Sequence, residues 1–256
     1  TNAGTLTKSG GTNFTTIGAA FSNTGAVDVQ AGTLYLANGG TSTGTFTVAA
    51  GAELRLGGNT ATHTLQAGSS ITGAGTVFFN GDSTKDVAGT YTITGATTVD
   101  PSATVNFTGT VTGVGALTVN AGTANFSSGE LIAPTTLTLA GGTLTGSDNL
   151  TVSGATTWTG GTLSGTGTTT AGGGLTISGS ALKTLDGRTL INSGAGTWSG
   201  TGNIAANNGA AFTNQAGATF TIQNDQSWAN GFTGATPTFT NAGTLTKSGG
   251  TNFTTI

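Results

Sequence analysis

One short phrase recurs along the chain: a glycine followed by residues that alternate between small polar and apolar types. Its clearest examples are residues 31–36 (AGTLYL), 50–56 (AGAELRL), 121–126 (AGTANF) and 141–144 (GGTL). Strict alternation is the period of a half-buried β-strand. The glycines of neighbouring phrases recur at intervals of roughly 20 residues, which is typical of coils that stack on one another. The sequence therefore predicts an all-β solenoid.

Steps of the form Thr-apolar-Thr indicate which side chains face the interior of such a coil. Alternation along a strand sends the central residue inward and the two threonines outward. Gly and Asn suit the corners, because they tolerate positive φ. We expect a parallel β-helix of about twelve coils with roughly 20 residues each. A sandwich or a propeller is the alternative, but hairpin turns of the Asn-Gly type are few. The steps centre on Phe46, Tyr91, Leu137, Trp158, Phe220 and Leu245.

Composition narrows the class of protein further. Charged residues make up 6 % of the chain and apolar residues 34 %, so the chain is not a disordered linker. The absence of Cys excludes disulfides, thiol catalysis and zinc sites built on cysteine. A net charge of −3 provides no basic patch, so neither nucleic acid nor an anionic lipid surface is an expected partner. No apolar run approaches the length of a membrane span, and we expect no membrane insertion.

The first seventeen residues of the chain return unchanged as its last seventeen. The sequence TNAGTLTKSGGTNFTTI occupies residues 1–17 and 240–256, which start 239 residues apart (240 minus 1). We expect residues 1–239 to be one full unit of a longer tandem array and residues 240–256 to be the start of the next identical unit. An artificial duplication of the segment is the alternative. Aromatic residues concentrate near this boundary and predict the thickest part of the core there: Phe14, Phe21, Trp198, Phe212, Trp228, Phe232 and Phe239.

A second recurring phrase places asparagines at related spacings. Asn192, Asn214 and Asn241 follow one another at intervals close to the length of one coil. The next member is Asn23, which follows Asn2, the equivalent of Asn241 in the first copy, at a similar interval. The phrase therefore continues through the boundary between units, and no linker rich in proline or charge interrupts it. We expect the first coil of each unit to stack directly on the last coil of the unit before it.

Several of these phrases resemble the repeats of very large bacterial surface proteins. The resemblance rests on the run FxNxGxL (residues 239–245), on AGTLxL and GGTLxG (residues 31–36 and 141–146) and on FTIQND (residues 220–225). The chain is similar in this respect to filamentous-haemagglutinin-like and autotransporter-type adhesins. The resemblance implies a right-handed parallel β-helix, secretion, and a role as a stalk, fibre or adhesin shaft. It brings no catalytic residues with it.

Three places on the chain carry residues that could support chemistry. His63, the single histidine, takes an inward position of its strand, which favours a structural role over a ligand or a base. Asp82 and Asp86 flank Lys85 in GDSTKD, where a solvated turn is favoured over a weak cation site. Lys183, Asp186 and Arg188 in KTLDGR are favoured as a charged corner, with a catalytic patch as the alternative. We therefore predict no enzyme and no catalytic, cofactor-binding or metal-binding residue.

Other surface features support weaker hypotheses. Glu53 and Arg55 are two residues apart on one strand and predict an exposed ion pair of little energetic worth. Rows of outward threonines are an arrangement that can bind ice, but their uneven spacing in the sequence suggests that these rows are interrupted. Sequons that could accept glycans begin at Asn13, Asn106, Asn125 and Asn149.

Taken together, these features predict a structural repeat of an extracellular fibre or giant cell-surface protein that stacks end to end into a stiff rod. A secreted β-helix enzyme that acts on polysaccharides is the first alternative, and an ice-binding protein with threonine ladders is the second. The expected partners are neighbouring copies of the same repeat, end to end. Lateral self-association and glycans are further candidates.

Overall fold

The chain folds as an all-β parallel β-solenoid of about 11 turns with roughly 21 residues in each turn, here called coils. The computed structural model describes residues 1–58, 60–231 and 234–256, and none of these residues forms a helix. The predicted fold class is thus confirmed, with slightly fewer and longer coils than the expected twelve. The handedness of the coil stays a prediction. The chain divides into two compact units, Thr1–Ile132 and Ala133–Ile256.

Unit 1 has three faces of parallel strands. The first face holds β1, β3, β6 and β9 with the first parts of β12 and β14. The second holds β2, β4, β7 and β10 with the second parts of β12 and β14, and the third holds β5, β8, β11, β13 and β15. The strands are β1 (Thr5–Lys8), β2 (Phe14–Ile17), β3 (Ala26–Val29), β4 (Thr33–Leu36), β5 (Gly40–Ser42), β6 (Thr45–Val48), β7 (Glu53–Leu56), β8 (His63–Leu65), β9 (Ser70–Gly73), β10 (Thr76–Phe79), β11 (Thr84–Val87), β12 (Thr90–Val99), β13 (Thr104–Phe107), β14 (Val111–Val119) and β15 (Thr123–Phe126).

Unit 2 repeats this three-faced plan. One face holds β16, β19, β22, β25, β28 and β31, the second holds β17, β20, β23, β26 and β29, and the third holds β18, β21, β24, β27 and β30. The strands are β16 (Thr136–Leu139), β17 (Thr143–Thr145), β18 (Leu150–Val152), β19 (Thr156–Trp158), β20 (Gly161–Ser164), β21 (Thr168–Ala171), β22 (Leu175–Ile177), β23 (Lys183–Asp186), β24 (Thr189–Asn192), β25 (Ala195–Trp198), β26 (Ile204–Asn207), β27 (Ala211–Asn214), β28 (Thr219–Ile222), β29 (Trp228–Asn230), β30 (Thr238–Asn241) and β31 (Thr244–Lys247).

The alternation predicted from the Thr-apolar-Thr steps is confirmed. Phe46, Tyr91 and Phe220 point inward and are almost completely buried, while the threonines beside them are half-buried or exposed. Leu245 also occupies an inward position, opposite Phe220, but it stays 39 % exposed because no coil covers its other side. Inward side chains from the three faces of each unit meet along its axis, so each unit has a narrow core.

Aromatic residues form one cluster in each unit. In unit 2, Phe212 stacks on Phe239 with ring centroids 4.8 Å apart and packs near Trp228 and Phe220, so aromatic residues do pack together near the period boundary. In unit 1, a second cluster joins Phe79, Tyr91, Phe107 and Phe126. This second cluster was not predicted from the sequence. The prediction that Phe14 belongs to the core was wrong, since Phe14 points outward and is 56 % exposed. Phe232 lies outside the described residues.

Glycine at the corners allows neighbouring coils to approach closely. Gly161 begins β20 with φ of +80°, a conformation that side chains with a Cβ rarely adopt. A Cβ at this position would collide with the backbone carbonyl of Gly142 on the preceding coil. The corner thus needs glycine for two reasons, the backbone conformation and the contact. Similar demands at other corners explain why Gly recurs from coil to coil.

Candidate interface between successive repeats

The first copy of the duplicated segment (residues 1–17) is held on one side only. Its strands β1 and β2 pair with β3 and β4, with Leu6 opposite Val27 and Thr15 opposite Leu34. The other side of this coil is open, and a cavity of about 430 Å³ there is lined by Leu6, Thr7, Lys8, Ser9, Gly10, Thr15, Ile17 and Leu34. Leu6 and Ile17 are consequently only half-buried.

The second copy (residues 240–256) is held on the opposite side. Its strand β31 pairs with β28, and the backbone N–H of Trp228 donates to the carbonyl of Thr255 at 2.9 Å. A cavity of about 310 Å³ opens at this coil, and it is lined by Trp228, Asn230, Thr236, Pro237, Phe239 and Ile256. The sequence TLTK forms a four-residue strand in both copies. The two copies thus share this strand, and each is paired with a neighbouring coil on one side only.

Asparagine side chains of neighbouring coils in unit 2 form a ladder of hydrogen bonds that reaches the second copy. Asn192 donates from Nδ2 to Asn214 Oδ1 at 2.8 Å and to the carbonyl of Thr219 at 2.9 Å. Asn214 repeats the pattern toward Asn241 Oδ1 at 2.7 Å and the carbonyl of Thr244 at 3.1 Å. Asn192 and Asn214 are completely buried.

The first copy makes the next step of the same ladder. Asn2, the equivalent of Asn241, donates from Nδ2 to Asn23 Oδ1 at 2.8 Å and to the carbonyl of Ala26 at 3.0 Å. This pair of bonds has the form of those made by Asn192 and Asn214. When the two copies are treated as one coil, the ladder runs from Asn192 through Asn214 and Asn241 to Asn23 without a break. The spacing of asparagines predicted this row, but not that its side chains bond to one another or that three of them, Asn23, Asn192 and Asn214, are completely buried.

A lysine and an acidic turn fix the side of the second copy that faces β28. The Nζ of Lys247 donates to Asp225 Oδ1 at 2.8 Å, to the carbonyl of Asn224 at 2.7 Å and to the carbonyl of Gly249 at 2.8 Å. The other carboxylate oxygen of Asp225 accepts the backbone N–H of Thr251 at 2.8 Å. These hydrogen bonds, the one from Lys247 first, lower the pKa of Asp225.

The equivalent lysine of the first copy keeps only part of this arrangement. Lys8 donates from Nζ to the carbonyl of Gly10 at 2.8 Å, which corresponds to the bond from Lys247 to Gly249. The acidic turn that Lys247 contacts, Asn224 and Asp225, belongs to the coil that precedes the duplicated segment. The bond from Lys8 to Gly10 is therefore made within the copy itself. The bonds from Lys247 to Asn224 and Asp225 depend on the coil before it.

The residues singled out for chemistry lie mostly in the interior. His63 is 4 % exposed and its Nε2 lies 2.6 Å from the carbonyl of Gly57, as expected for a structural residue. Burial lowers its pKa, and the hydrogen bond to Gly57 opposes that shift. Within residues 1–58, 60–231 and 234–256, no group of three His, Cys, Asp or Glu side chains is placed to hold a metal ion.

Lys85 is completely buried, contrary to the solvated turn expected for GDSTKD. Its Nζ donates to the carbonyls of Asn80, Gly81 and Ser83 at 2.6, 2.9 and 2.8 Å. Burial lowers the pKa of Lys85 to about 8, and the nearby Asp82 opposes the shift. The ammonium group therefore stabilises this corner by donating to three backbone carbonyls that converge on it.

The KTLDGR corner does not form a charged surface patch. Arg188 is completely buried and donates to the carbonyls of Gly146, Ser164 and Asp148 at 3.2, 3.0 and 2.8 Å, and to Thr169 Oγ1 at 2.8 Å. Burial lowers its pKa to about 10. Lys183 is also buried and bonds the carbonyl of Ala181. Asp186 faces outward and accepts from Asn208. The structure therefore does not bring Lys183, Asp186 and Arg188 together in a groove.

Glu53 and Arg55 form the predicted ion pair, with 2.8 Å between Glu53 Oε1 and Arg55 Nη2. The guanidinium also lies between two outward aromatic rings, 4.9 Å from the centroid of Phe14 and 4.3 Å from that of Phe78. This contact of Arg55 with two rings was not predicted from the sequence. It arises because register places Arg55 directly beside Phe78 on the neighbouring strand.

Two of the four sequon asparagines are engaged in a second, outward ladder. Asn106 donates from Nδ2 to Asp86 Oδ1 at 2.9 Å, and Asn125 donates to Asn106 Oδ1 at 3.2 Å. Asn13 and Asn149 are exposed. The outward orientation expected of several sequon asparagines is therefore confirmed.

Comparison with protein-family models, with curated proteins and with solved structures found no match to this chain. In the part of the chain that the structure describes, no helix is long and apolar enough to cross a membrane. The fold gives the class of this protein: it is a parallel β-solenoid, and its first and last seventeen residues are identical.

Proposed function

We propose that this chain is a structural repeat of an extracellular fibre or giant cell-surface protein, in which successive repeats of 239 residues stack end to end into a stiff rod. The observation that carries the proposal is the asparagine ladder. Asn214 bonds the second copy and Asn2 of the first copy bonds Asn23 with the same pair of contacts. A following repeat that begins with residues 240–256 can therefore extend the ladder without a linker.

Burial at the two copies supports the same function. Leu245 and Ile256 are 39 % and 50 % exposed in the second copy, and Leu6 and Ile17 are half-buried in the first. In a tandem array each of these inward positions has a coil on both sides, so apolar surface left open here is covered. Continuous stacking also hides unpaired strand edges that would otherwise invite aggregation. The location outside the cell follows from the resemblance to bacterial surface proteins and forms part of the proposal.

Chains with one, two and three periods test the rod directly. Each added period is expected to lengthen the particle seen by electron microscopy by about 55 Å, since parallel strands of successive coils lie about 4.8 Å apart. The matched variants are Leu245→Asp and Thr244→Asp in the two-period chain, where both residues lie at the junction. The first places a carboxylate in the core and is expected to bend or loosen the rod, whereas the second faces solvent and is expected to leave it straight. Separate globules, one for each period, would contradict the proposal.

Ice binding is a second candidate, favoured by one observation. Six threonines lie in register along one face of unit 2, one on each coil: Thr138, Thr157, Thr176, Thr197, Thr221 and Thr246. Interrupted rows were expected because the spacings differ, and for this face that expectation was wrong, since corners of different length take up the additional residues. The neighbouring outward positions include Ala195 and Gln223, so the face is not uniformly threonine.

A freezing assay separates this candidate from the structural one. If the threonine row binds ice, the chain is expected to show thermal hysteresis that Thr176→Tyr in the middle of the row abolishes and that Thr213→Tyr on another face leaves unchanged. A chain without thermal hysteresis would exclude ice binding and leave the rod unaffected.

A further inference from the structure

Three aromatic side chains share one outer face of unit 1. The face built from β2, β4, β7 and β10 turns Phe14, Tyr35 and Phe78 outward, while the residues between them in the alternation point into the core. In the other strands of residues 1–58, 60–231 and 234–256, every aromatic side chain points inward. Aromatic residues gathered on an otherwise polar surface indicate a site of interaction.

Register arranges this face as a row across successive coils. Tyr35 lies opposite Arg55, and Arg55 lies opposite Phe78, so the two aromatic residues are about 10 Å apart along the row. The guanidinium of Arg55 lies 4.9 Å from the ring centroid of Phe14 and 4.3 Å from that of Phe78. Both rings are therefore held in place by the protein itself, which reduces the ordering that a partner would have to impose.

A glycine leaves room for the third ring. A Cβ at Gly57 would lie 2.6 Å from Cε2 of Tyr35 and 2.7 Å from its hydroxyl oxygen, and it would also collide with Asn80 Oδ1. Gly57 does not have a positive φ, so space for these side chains, and not the backbone conformation, requires glycine here. The ring of Tyr35 consequently lies close to the sheet instead of extending into solvent.

An ion pair between the rings keeps part of its hydrogen-bonding capacity. Arg55 Nε and Arg55 Nη2 both donate to Glu53 Oε1 at 2.8 Å. Glu53 Oε2 can therefore still accept a hydrogen bond and Arg55 Nη1 can still donate one. The two charges cancel, so the surface is neutral overall. These residues together are here called the outer aromatic patch: Phe14, Tyr35, Glu53, Arg55 and Phe78.

We propose that the outer aromatic patch binds an uncharged polysaccharide, with the sugar chain laid along the row from Tyr35 to Phe78. The faces of a pyranose ring carry C–H groups that pack on aromatic side chains, and its rim carries hydroxyls that both donate and accept hydrogen bonds. The patch offers rings at both ends of the row and a donor and an acceptor between them. The inference goes beyond the proposed function, since it holds for unit 1 whether or not successive repeats stack.

Three other kinds of partner fit this patch less well. An anionic polymer is held by net positive charge, which Glu53 cancels here. A peptide that binds by strand addition needs a free strand edge, whereas β4 and β7 are paired on both sides. A membrane surface is held by a broad apolar face flanked by basic residues, and the patch has a single arginine, which is already paired.

Native gels that contain a dissolved polysaccharide test the proposal on the full chain. We expect at least one of four uncharged polymers to slow its migration: hydroxyethyl cellulose, xyloglucan, galactomannan or laminarin. Heparin, which is anionic, is expected to have no effect. Tyr35→Ala is expected to raise the dissociation constant for the retarding polymer about tenfold. The Tyr35→Ala, Phe78→Ala double variant is expected to migrate as in a gel without polymer.

Two further variants separate the patch from general exposure of aromatic residues. Phe253→Ala removes a ring that is 91 % exposed and lies outside the patch, so it is expected to be retarded like the unmodified chain. Gly57→Ala keeps every residue of the patch but displaces the ring of Tyr35, so it is expected to weaken binding. Circular dichroism checks that each variant is folded.

Lack of retardation by all four uncharged polymers, or retardation by heparin alone, would overturn the proposal. Retardation that the double variant retains in full would do the same, and so would binding to phosphatidylcholine vesicles that the double variant loses, because the patch would then meet a membrane. Tyr35 and Phe78 lie outside the duplicated segment, so the rod measured by electron microscopy would stand in each of these cases.

Discussion

Arg188→Met is expected to lower the free energy of unfolding by about 3 kcal/mol, because it leaves the carbonyls that the guanidinium satisfies without their donor. These carbonyls, of Gly146, Ser164 and Asp148, belong to turns that lie 24 to 42 residues earlier in the sequence. One buried side chain thus ties successive coils of unit 2 together. Urea unfolding followed by the fluorescence of the buried Trp158 and Trp198 measures the loss.

Arg55→Met is the matched control for this variant. Arg55 also loses an ion pair and a cation–π contact, but it lies on the outer face, where such contacts contribute about 1 kcal/mol or less. Arg188→Lys adds a second comparison, since a lysine keeps the charge but lacks the planar group that reaches several acceptors at once. If Arg188→Met unfolds at the same urea concentration as Arg55→Met, the buried guanidinium does not stabilise the coils as described.

Asn214→Ala is expected to lower the free energy of unfolding by about 2–4 kcal/mol, because it removes the central member of the ladder and leaves Asn241 Oδ1 and the carbonyl of Thr244 without their donor. Since Asn214 also holds the second copy through Asn241, the variant is expected to release residues 240–256 before the rest of unit 2 unfolds. Hydrogen exchange of β31 and urea unfolding together measure both effects.

Asn106→Ala serves as the control for the ladder. Asn106 makes the same kind of side-chain bonds, to Asp86 and from Asn125, but on the outer face of unit 1, where water can replace them. We expect it to change the stability by less than about 0.5 kcal/mol, as is usual for surface substitutions. Equal effects of Asn214→Ala and Asn106→Ala would show that burial does not distinguish the two ladders.

The fold was predictable because two periods are visible in the sequence: the alternation along each strand and the recurrence of glycine from coil to coil. Alternation assigned Phe46, Tyr91 and Phe220 to the interior, and the spacing of glycines set the approximate length of a coil. Register could not be predicted in the same way. Thr157 and Thr176 are closer together in the sequence than Thr221 and Thr246 are, yet all four align, because corners of different length return the chain to the same face.

The positions of the charged side chains were the least predictable part of the candidate sites. Lys85, Lys183 and Arg188 occur in polar segments that favour a solvated corner, and all three are buried. Their partners are backbone carbonyls, which every residue has, so the sequence does not indicate which of them accept these bonds. Whether several carbonyls converge on one point depends on how corners of neighbouring coils superimpose. The asparagine ladder, by contrast, was visible as spacing, since each of its members is a side chain.

The burial of basic residues also bears on how the chain would meet a protease that cuts after Lys and Arg. The chain has six such residues. Lys8, Lys85, Lys183 and Arg188 are buried, while Arg55 is paired with Glu53 on a sheet face and Lys247 with Asp225. Cleavage requires several residues of extended, accessible backbone around the cut, and these sites lie within strands or corners bonded to neighbouring coils. A surface of threonine, serine, asparagine and glycine thus presents few places to cut, so the coils that give the fold its shape also protect it from digestion.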